Sequence, residues 1–246
     1  MPDTPSSPNP AAAPSRKASG YHASAEYVRE VVFGMQDGMV STLGAITGIA
    51  VGSNDHFVVL LSGIAIIAVE SISMGIGSYT SRLSEERIDQ WRLAEEKGEI
   101  KNSLPDEEAE LHDMYTSDGW PAHLATEMVK TASSDPQLML KEMAYRELHI
   151  PPHRHVCPMR NGVYMFFAYI AGGLIPLLPY FFFGVGPAVP LSIAATLVGL
   201  FFLGATVATY ARQKPAKAGV HLLALGSVAL LVGMAVGYFS RFIPQI

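Results

Sequence analysis

The sequence is short of several things at once. Among 246 residues there is a single cysteine, Cys157, which excludes an internal disulfide framework and any multi-cysteine zinc site. Only 16% of the chain is charged while 49% is hydrophobic, a balance rich in apolar residues for a water-soluble domain. No Asp or Glu follows Glu147. The first twenty residues, MPDTPSSPNPAAAPSRKASG, lack the apolar run of a cleaved signal peptide, and their Pro, Ala and Ser content predicts a disordered tail over 1–25. No stretch shows the two-residue alternation of a strand, and no tandem repeat is present. Nucleophile–base spacings and glycine-rich phosphate loops are missing too. An enzyme, an enzyme cofactor and a nucleic-acid partner are therefore not expected.

What is present is length without charge. Five windows, roughly 31–52, 57–79, 161–184, 187–210 and 218–240, are each long enough to cross a bilayer as a helix. Lys and Arg lie on alternate flanks. Arg16, Lys17 and Arg29 precede the first window, Arg82 and Arg87 follow the second, Arg154 and Arg160 precede the third, and Arg212, Lys214 and Lys217 separate the last two. The connections SNDH and GVGPAVP carry none, and only Arg241 breaks the pattern. This bias places the N-terminus and residues 83–155 in the cytoplasm and the C-terminus outside. The expected home is a lipid membrane, with a bacterial inner membrane as the expected one.

Residues 83–155 are of a different chemistry, holding 16 of the 22 acidic residues. SRLSEERIDQWRLAEEKGEI predicts a helix continuing the second span until Leu104-Pro105 breaks it. Three further helices are predicted, from DEEAELHDMYTSDG, PAHLATEMVKTASS and PQLMLKEMAYRELH, with Asp106 near the N-cap of the first and Pro in the first turn of the others. The fold class is thus all-α: a five-transmembrane-helix protein with a cytoplasmic helical domain inserted between spans 2 and 3. The divisions are a tail at 1–25, spans 1–2 at 26–82, the inserted domain at 83–155, and spans 3–5 at 156–246. Small residues recur at Gly34/Gly38, Gly44/Gly48/Gly52 and Gly75/Gly77, spacings that let helices pack closely in lipid. Pro176 and Pro179 should kink the third span or free carbonyls.

Inside the spans stand only two acids, Asp37 and Glu70. Deep charges are costly and mark a cavity, a partner or a pathway. No Lys, Arg or His lies deep enough to neutralise them, since His56 and His221 are near span ends. Two such carboxylates call for a mobile cation, protons, or both. Met74 follows Glu70 by one helical turn, so a thioether and a carboxylate share a face. That mixed pair suits a borderline transition metal better than magnesium or calcium, although Met74, Met35 and Met39 also serve as ordinary core filler. Ser41 and Thr42 offer hydroxyls either to a pathway or to their own helix.

In the acidic block, Glu96/Glu99, Glu107/Glu110 and Met143/Glu147 fall three or four residues apart, and each pair can aim two ligand atoms from one helix face. Alone, each also reads as a solvated charged face. His112, one turn after Glu108, could join them. HIPPHRHVC brings His149, His153, His155 and Cys157 together, as a metal-binding tract or as a polar linker.

MQDGMVSTLGAITGIAVG followed by SISMGIGSYTSRLSEE resembles the vacuolar iron transporter family, membrane carriers of ferrous iron and manganese. The resemblance runs from about Glu26 to the C-terminus. It implies a homodimer exchanging divalent metal for protons, with Asp37 and Met74 lining the path. It implies a metal-collecting domain whose ligands are Glu96, Glu99, Glu107, Glu110, Met143 and Glu147. The ion implied is Fe2+, with Mn2+, Zn2+ and Co2+ as alternatives, moved out of the cytoplasm. Two departures stand out. The second glutamate pair follows the proline at shifted spacing, so Glu108 is an alternative to Glu107/Glu110. The family's span-two glutamate lies two turns before the SMG methionine, where this chain has Ile66, and Glu70 stands one turn before it instead. The rival reading is a membrane-anchored metal buffer or sensor.

Overall fold

Residues 16–150, 157–210, 212–240 and 242 are described in the structure, a computed structural model, with side chains from Tyr27 onward. The described residues form eight helices and no strand: α1 (Arg16–Ser53), α2 (His56–Asn102), α3 (Leu104–Ser117), α4 (Ala122–Ser133), α5 (Pro136–Arg146), α6 (Pro158–Phe182), α7 (Val185–Tyr210) and α8 (Pro215–Ser240). Where a disordered tail is expected over 1–25, residues 16–25 are helical. The last proline of the tail is Pro14, so nothing after it removes a helical N–H. Residues 1–15 lie outside the described residues, as do His153 and His155.

The chain divides into two compact units, one built mainly of residues 81–156 and the other of 25–80 and 157–246. Helix α2 runs through the boundary without a break over 47 residues. Its start is fixed by Asp55, whose Oδ1 accepts the backbone N–H of Phe57 at 2.8 Å and of Val58 at 3.1 Å, as an N-cap side chain does.

In the second unit, α2, α6, α7 and α8 are long and apolar enough to cross a membrane. Their outward faces carry Phe57, Leu61, Ile72, Phe167, Val198, Phe202, Leu231 and Phe239, all exposed. So much uncovered apolar surface is what a helix offers to lipid. Helix α1 is long enough but is not apolar to the same degree, because it carries Gln36, Asp37, Ser41, Thr42 and Thr47. Its packing explains this. Met39, Leu43, Ile46 and Ala50 are buried, and its glycines meet two other helices at contact distance. A Cβ on Gly34 would come 2.9 Å from the Ala168 Cβ of α6, and one on Gly38 would overlap the Tyr169 carbonyl of α6. On the other side, a Cβ on Gly44 would come 3.0 Å from the Ala229 carbonyl of α8, and one on Gly48 would come 2.7 Å from that of Gly233. A helix enclosed by other helices need not satisfy lipid, so it can hold small and polar residues. Gly77 differs from the rest of the small-residue set: nothing lies within 4 Å of a Cβ placed there.

Helix α6 continues through both Pro176 and Pro179. Two polar side chains attend its C-terminal half. Ser192 donates to the Pro176 carbonyl at 2.6 Å. The His56 Nε2 lies 2.6 Å from the Tyr180 carbonyl, one of the last carbonyls that a helix cannot satisfy internally.

The 81–156 unit is a small helical domain with its own core of Ile100, Leu111, Tyr115, Ala125, Val129, Ala132, Met139 and Met143. Asp135 caps α5, its Oδ1 accepting from the Gln137 N–H at 2.9 Å. The cap of α3 is Ser103, with Pro105 in the first turn, and the expected Asp106 lies within that turn.

Candidate functional site

Each unit gathers carboxylates without basic partners, in a different way. In the second unit, Glu70 projects from α2 towards α1 and α6. Its Oε2 accepts a hydrogen bond from Ser41 Oγ of α1 at 3.1 Å and another from the Tyr169 hydroxyl of α6. The Ser41 and Tyr169 hydroxyl oxygens are themselves 2.5 Å apart, so the three groups share their protons in one cluster. Tyr169 is fully buried, so its hydroxyl is fixed by these partners alone. Asp37 is half-buried on α1, close enough to Glu70 for the two charges to repel. Among the described residues no side chain hydrogen-bonds Asp37 and no cation pairs with it. Met74 lies half-buried one turn along α2 from Glu70, and Ile66 is half-buried one turn before it. The Thr42 hydroxyl is buried without a hydrogen-bond partner.

Two residues of this region were not singled out from the sequence. Tyr169 is one; a tyrosine midway along a lipid-length run needs a partner for its hydroxyl, which was the available signal. Glu30 is the other. It reads as a flanking acid beside Arg29, yet it is only 7% exposed. Its Oε2 accepts from Ser78 Oγ at 2.9 Å and its Oε1 from Arg29 at 3.2 Å. The spacing of Glu30, Gly34 and Gly38 along one face of α1 pointed to it.

In the 81–156 unit the expected glutamates converge from three helices. Glu96 of α2 is 2% exposed, and its Oε1 has no hydrogen-bond partner. Burial, with Glu147, Glu107 and Glu99 close by, pushes the Glu96 carboxyl up to about 8 from its ordinary 4.5. Glu107 of α3 is raised by burial and then by Glu110, Glu99 and Glu147. Glu110 is raised by burial and then by Glu147 and Glu99. Each of the five glutamates of the expected set therefore acts on at least one other of them. Glu108 acts on none of Glu96, Glu107 and Glu110. His112 turns to its neighbour Asp113 at 3.7 Å. Met143 is fully buried in the apolar core, one turn before the exposed Glu147. His149 and Cys157 are exposed.

The end of α5, from which Glu147 extends, is held by Arg146. Its guanidinium pairs with Asp118 and with Glu142, the latter at 3.4 Å, and lies over the Tyr115 ring at 4.2 Å. Tyr115 closes the set by donating to Glu142 at 3.0 Å. As the side chains stand, among the described residues no three of His, Cys, Asp and Glu are drawn together closely enough to hold a metal ion. A cluster of like charges is the least compact when no cation shields it.

Known proteins bear on this arrangement. The chain is 30% identical to Vacuolar iron transporter 1 of Oryza sativa subsp. japonica over 211 residues, covering 85% of this chain and 83% of the relative. It is 29% identical to Vacuolar iron transporter 1 of Tulipa gesneriana over 229 residues, 93% of this chain and 92% of that one. A Toxoplasma gondii protein named Vacuolar iron transporter is 27% identical, over 92% of this chain and 78% of its own length. These relatives come from plants and an apicomplexan and lend no support to a bacterial inner membrane. The model of the VIT family matches residues 28–238, which takes in both carboxylate sets and most of the chain, so the protein belongs to the VIT family.

Proposed function

We propose that the protein is a membrane transporter that moves Fe2+ out of the cytoplasm in exchange for protons, with Mn2+ as a second substrate. The observation that supports it best is the pair Asp37 and Glu70. They lie close together within a helical bundle and have no basic partner among the described residues, in a chain whose relatives are named vacuolar iron transporters. In this reading α1 is the fifth span, more polar than the others because other helices enclose it. The bias of Lys and Arg puts the N-terminus and residues 81–156 in the cytoplasm and the C-terminus outside.

Residues 81–156 act as the collector. Glu96, Glu99, Glu107, Glu110 and Glu147 supply carboxylate oxygens, and Met143, fully buried in the core one turn before Glu147, would have to turn outward to serve as a soft ligand. A divalent ion binding among these acids relieves their repulsion. The Glu107/Glu110 pair is preferred to Glu108 because it shares the electrostatic neighbourhood of Glu96. The ion then passes to Asp37, Glu70 and Met74, a set with hard oxygens and one soft sulfur that suits Fe2+ or Mn2+ over Mg2+. Tyr169 and Ser41 hold Glu70 in place by donating to one oxygen, which leaves the other free for the ion. When the ion leaves, a poorly solvated carboxylate without a counter-charge calls for a proton to replace it. That exchange is the coupling.

A homodimer completes the reading. A groove of about 790 Å3 runs along α1 and α8 past Ser41, Gly44, Gly48, Gly233 and Gly237, and a second copy in the commonest symmetry, C2, would cover it. The testing experiment is flux of Fe2+, Mn2+, Co2+ and Zn2+ into proteoliposomes, with and without a pH gradient. Transport of Fe2+ accelerated by a gradient acid on the receiving side is expected. Metal binding without flux would leave the anchored buffer as the function.

A further inference from the structure

Among the unpartnered buried polar groups of the bundle, Asn161 is the one idle at both of its polar atoms. Asn161, in the first turn of α6, is fully buried, and among the described residues neither its side-chain nitrogen nor its oxygen has a hydrogen-bond partner. A buried carboxamide with both ends idle is uncommon and requires an explanation. Its position supplies one. Met165, one turn further along α6, meets Gly34 of α1: a Cβ there would come 3.0 Å from the Met165 carbonyl and sulfur. One turn back on both helices are Asn161 and Glu30, so the two stand at one level of the adjoining helices. Tyr27 and Tyr164 pack against each other with tilted rings, their centroids 5.0 Å apart. On α2 the same level is marked by Gly75 and Tyr79, which lie against Gly162, and by Ser78, which donates to Glu30 at 2.9 Å.

Three helices thus bring a buried carboxylate, a hydroxyl and a buried carboxamide to one level, two turns of α1 from Asp37. No hydrogen bond joins Glu30 to Asn161, and the idle carboxamide leaves room for a bound group at this level. Every donor oxygen is hard, and thioether and imidazole are absent from the set. That chemistry takes a small divalent cation that keeps part of its hydration shell, with the carboxamide N–H2 turned to a bound water. Arg29 is the competitor, pairing with Glu30 Oε1 at 3.2 Å, but its side chain is 65% exposed and free to swing into solvent. We propose that Glu30, Ser78 and Asn161 form an additional stop for the transported cation, an all-oxygen waypoint ahead of the mixed oxygen and sulfur set at Asp37, Glu70 and Met74.

The stop rests on the transport reading, and the experiment separates the two. Fe2+ flux is measured under reducing conditions in proteoliposomes of the full chain, with Asp37→Ala as the inactive control and thermal stability recorded for each variant. Glu30→Gln is expected to raise the half-saturating Fe2+ concentration about tenfold, the scale of one lost ion contact. Asn161→Leu raises it about threefold and Ser78→Ala less. Asn161→Asp, which keeps the side-chain volume and adds a charge, lowers it. Unchanged half-saturation in Glu30→Gln and Asn161→Asp overturns the stop while wild-type flux upholds the transporter. A fall in maximal rate with half-saturation unmoved and stability reduced assigns these residues to packing and also overturns it. Vesicles of wild-type protein that carry no Fe2+ would remove the transporter and the stop together.

Discussion

The two carboxylate sets solve the same problem in opposite ways. Around Glu70 the neighbours are hydroxyls. Ser41 and Tyr169 donate to it, so the acid is held by neutral groups whether or not an ion is near. Around Glu96 the neighbours are other acids, and among the described residues nothing donates to its buried Oε1. In the proposed reading the first set is organised beforehand and grips an ion weakly, and the second, whose acids repel one another, closes on a cation. A transport path needs the former, because an ion gripped too well does not leave. A collector tolerates the latter, because a flexible cluster admits an ion from water.

The largest effect that would break this comparison is at Asp37. Asp37→Ala should lower Fe2+ flux at least ~100-fold with folding intact, a loss of the order that an essential charged group produces; wild-type flux would remove Asp37 from the path. Next is the collector. Glu96→Ala combined with Glu99→Ala should weaken Fe2+ binding to the full chain about thirtyfold by calorimetry, while flux at saturating Fe2+ stays near normal. Equal loss at saturating and limiting Fe2+ would make the two sets one. Tyr169→Phe removes a single hydroxyl and should cut flux about tenfold; no change would show that Glu70 needs no holding.

The smallest effect concerns stability. The folded Glu96 carboxyl keeps its proton up to about 8, while in the unfolded chain it gives it up near 4.5. The folded state therefore binds more protons between these values. Stability is fullest below pH 4.5, falls as pH rises towards 8, and levels beyond it. The 81–156 unit of the full chain should melt lower at pH 8 than at pH 5 without metal, and added Mn2+ should restore more at pH 8. Glu96→Gln should raise the metal-free melting temperature at pH 8 by about 4 °C, what ~1 kcal/mol gives in a small domain, and weaken the rescue. A melting temperature that climbs with pH would mean that Glu96 is solvated.

Much of this was readable in the residues, and the reasons are local. Runs such as the one from Phe57 to Gly75 declare a lipid-length helix through composition alone. The break at Leu104-Pro105 and the capping by Asp135 are chemistry of neighbouring residues. Asp37 and Glu70 stood out because no basic residue shared their depth. What the sequence could not show depends on contacts between distant segments. Tyr169 lies 99 residues from Glu70 in the chain, and no spacing rule links them. Glu30 sits beside an exposed Arg29 and looks like a flank until α2 and α6 cover it. Met143 reads as a ligand from its distance to Glu147, and only the core of Leu111, Tyr115 and Met139 shows how deep it lies. Gly75 and Gly77 look alike in the sequence, yet only Gly75 meets another helix.

The contact of α1 with α8 has a consequence for how the protein is made. During synthesis α1 leaves the ribosome first and α8 last. A translocon weighs each segment by its own apolarity, and α1, with Gln36, Asp37 and its hydroxyls, is a weak candidate on that scale. The surface that suits it, the backbone at Ala229, Gly233 and Gly237, does not exist until nearly the whole chain has been translated. The enclosure of α1 is therefore completed only once α8 has been made. A nascent chain halted before Pro215 leaves one glycine-lined side of α1 open. The order of synthesis and the order of assembly run in opposite directions in this protein.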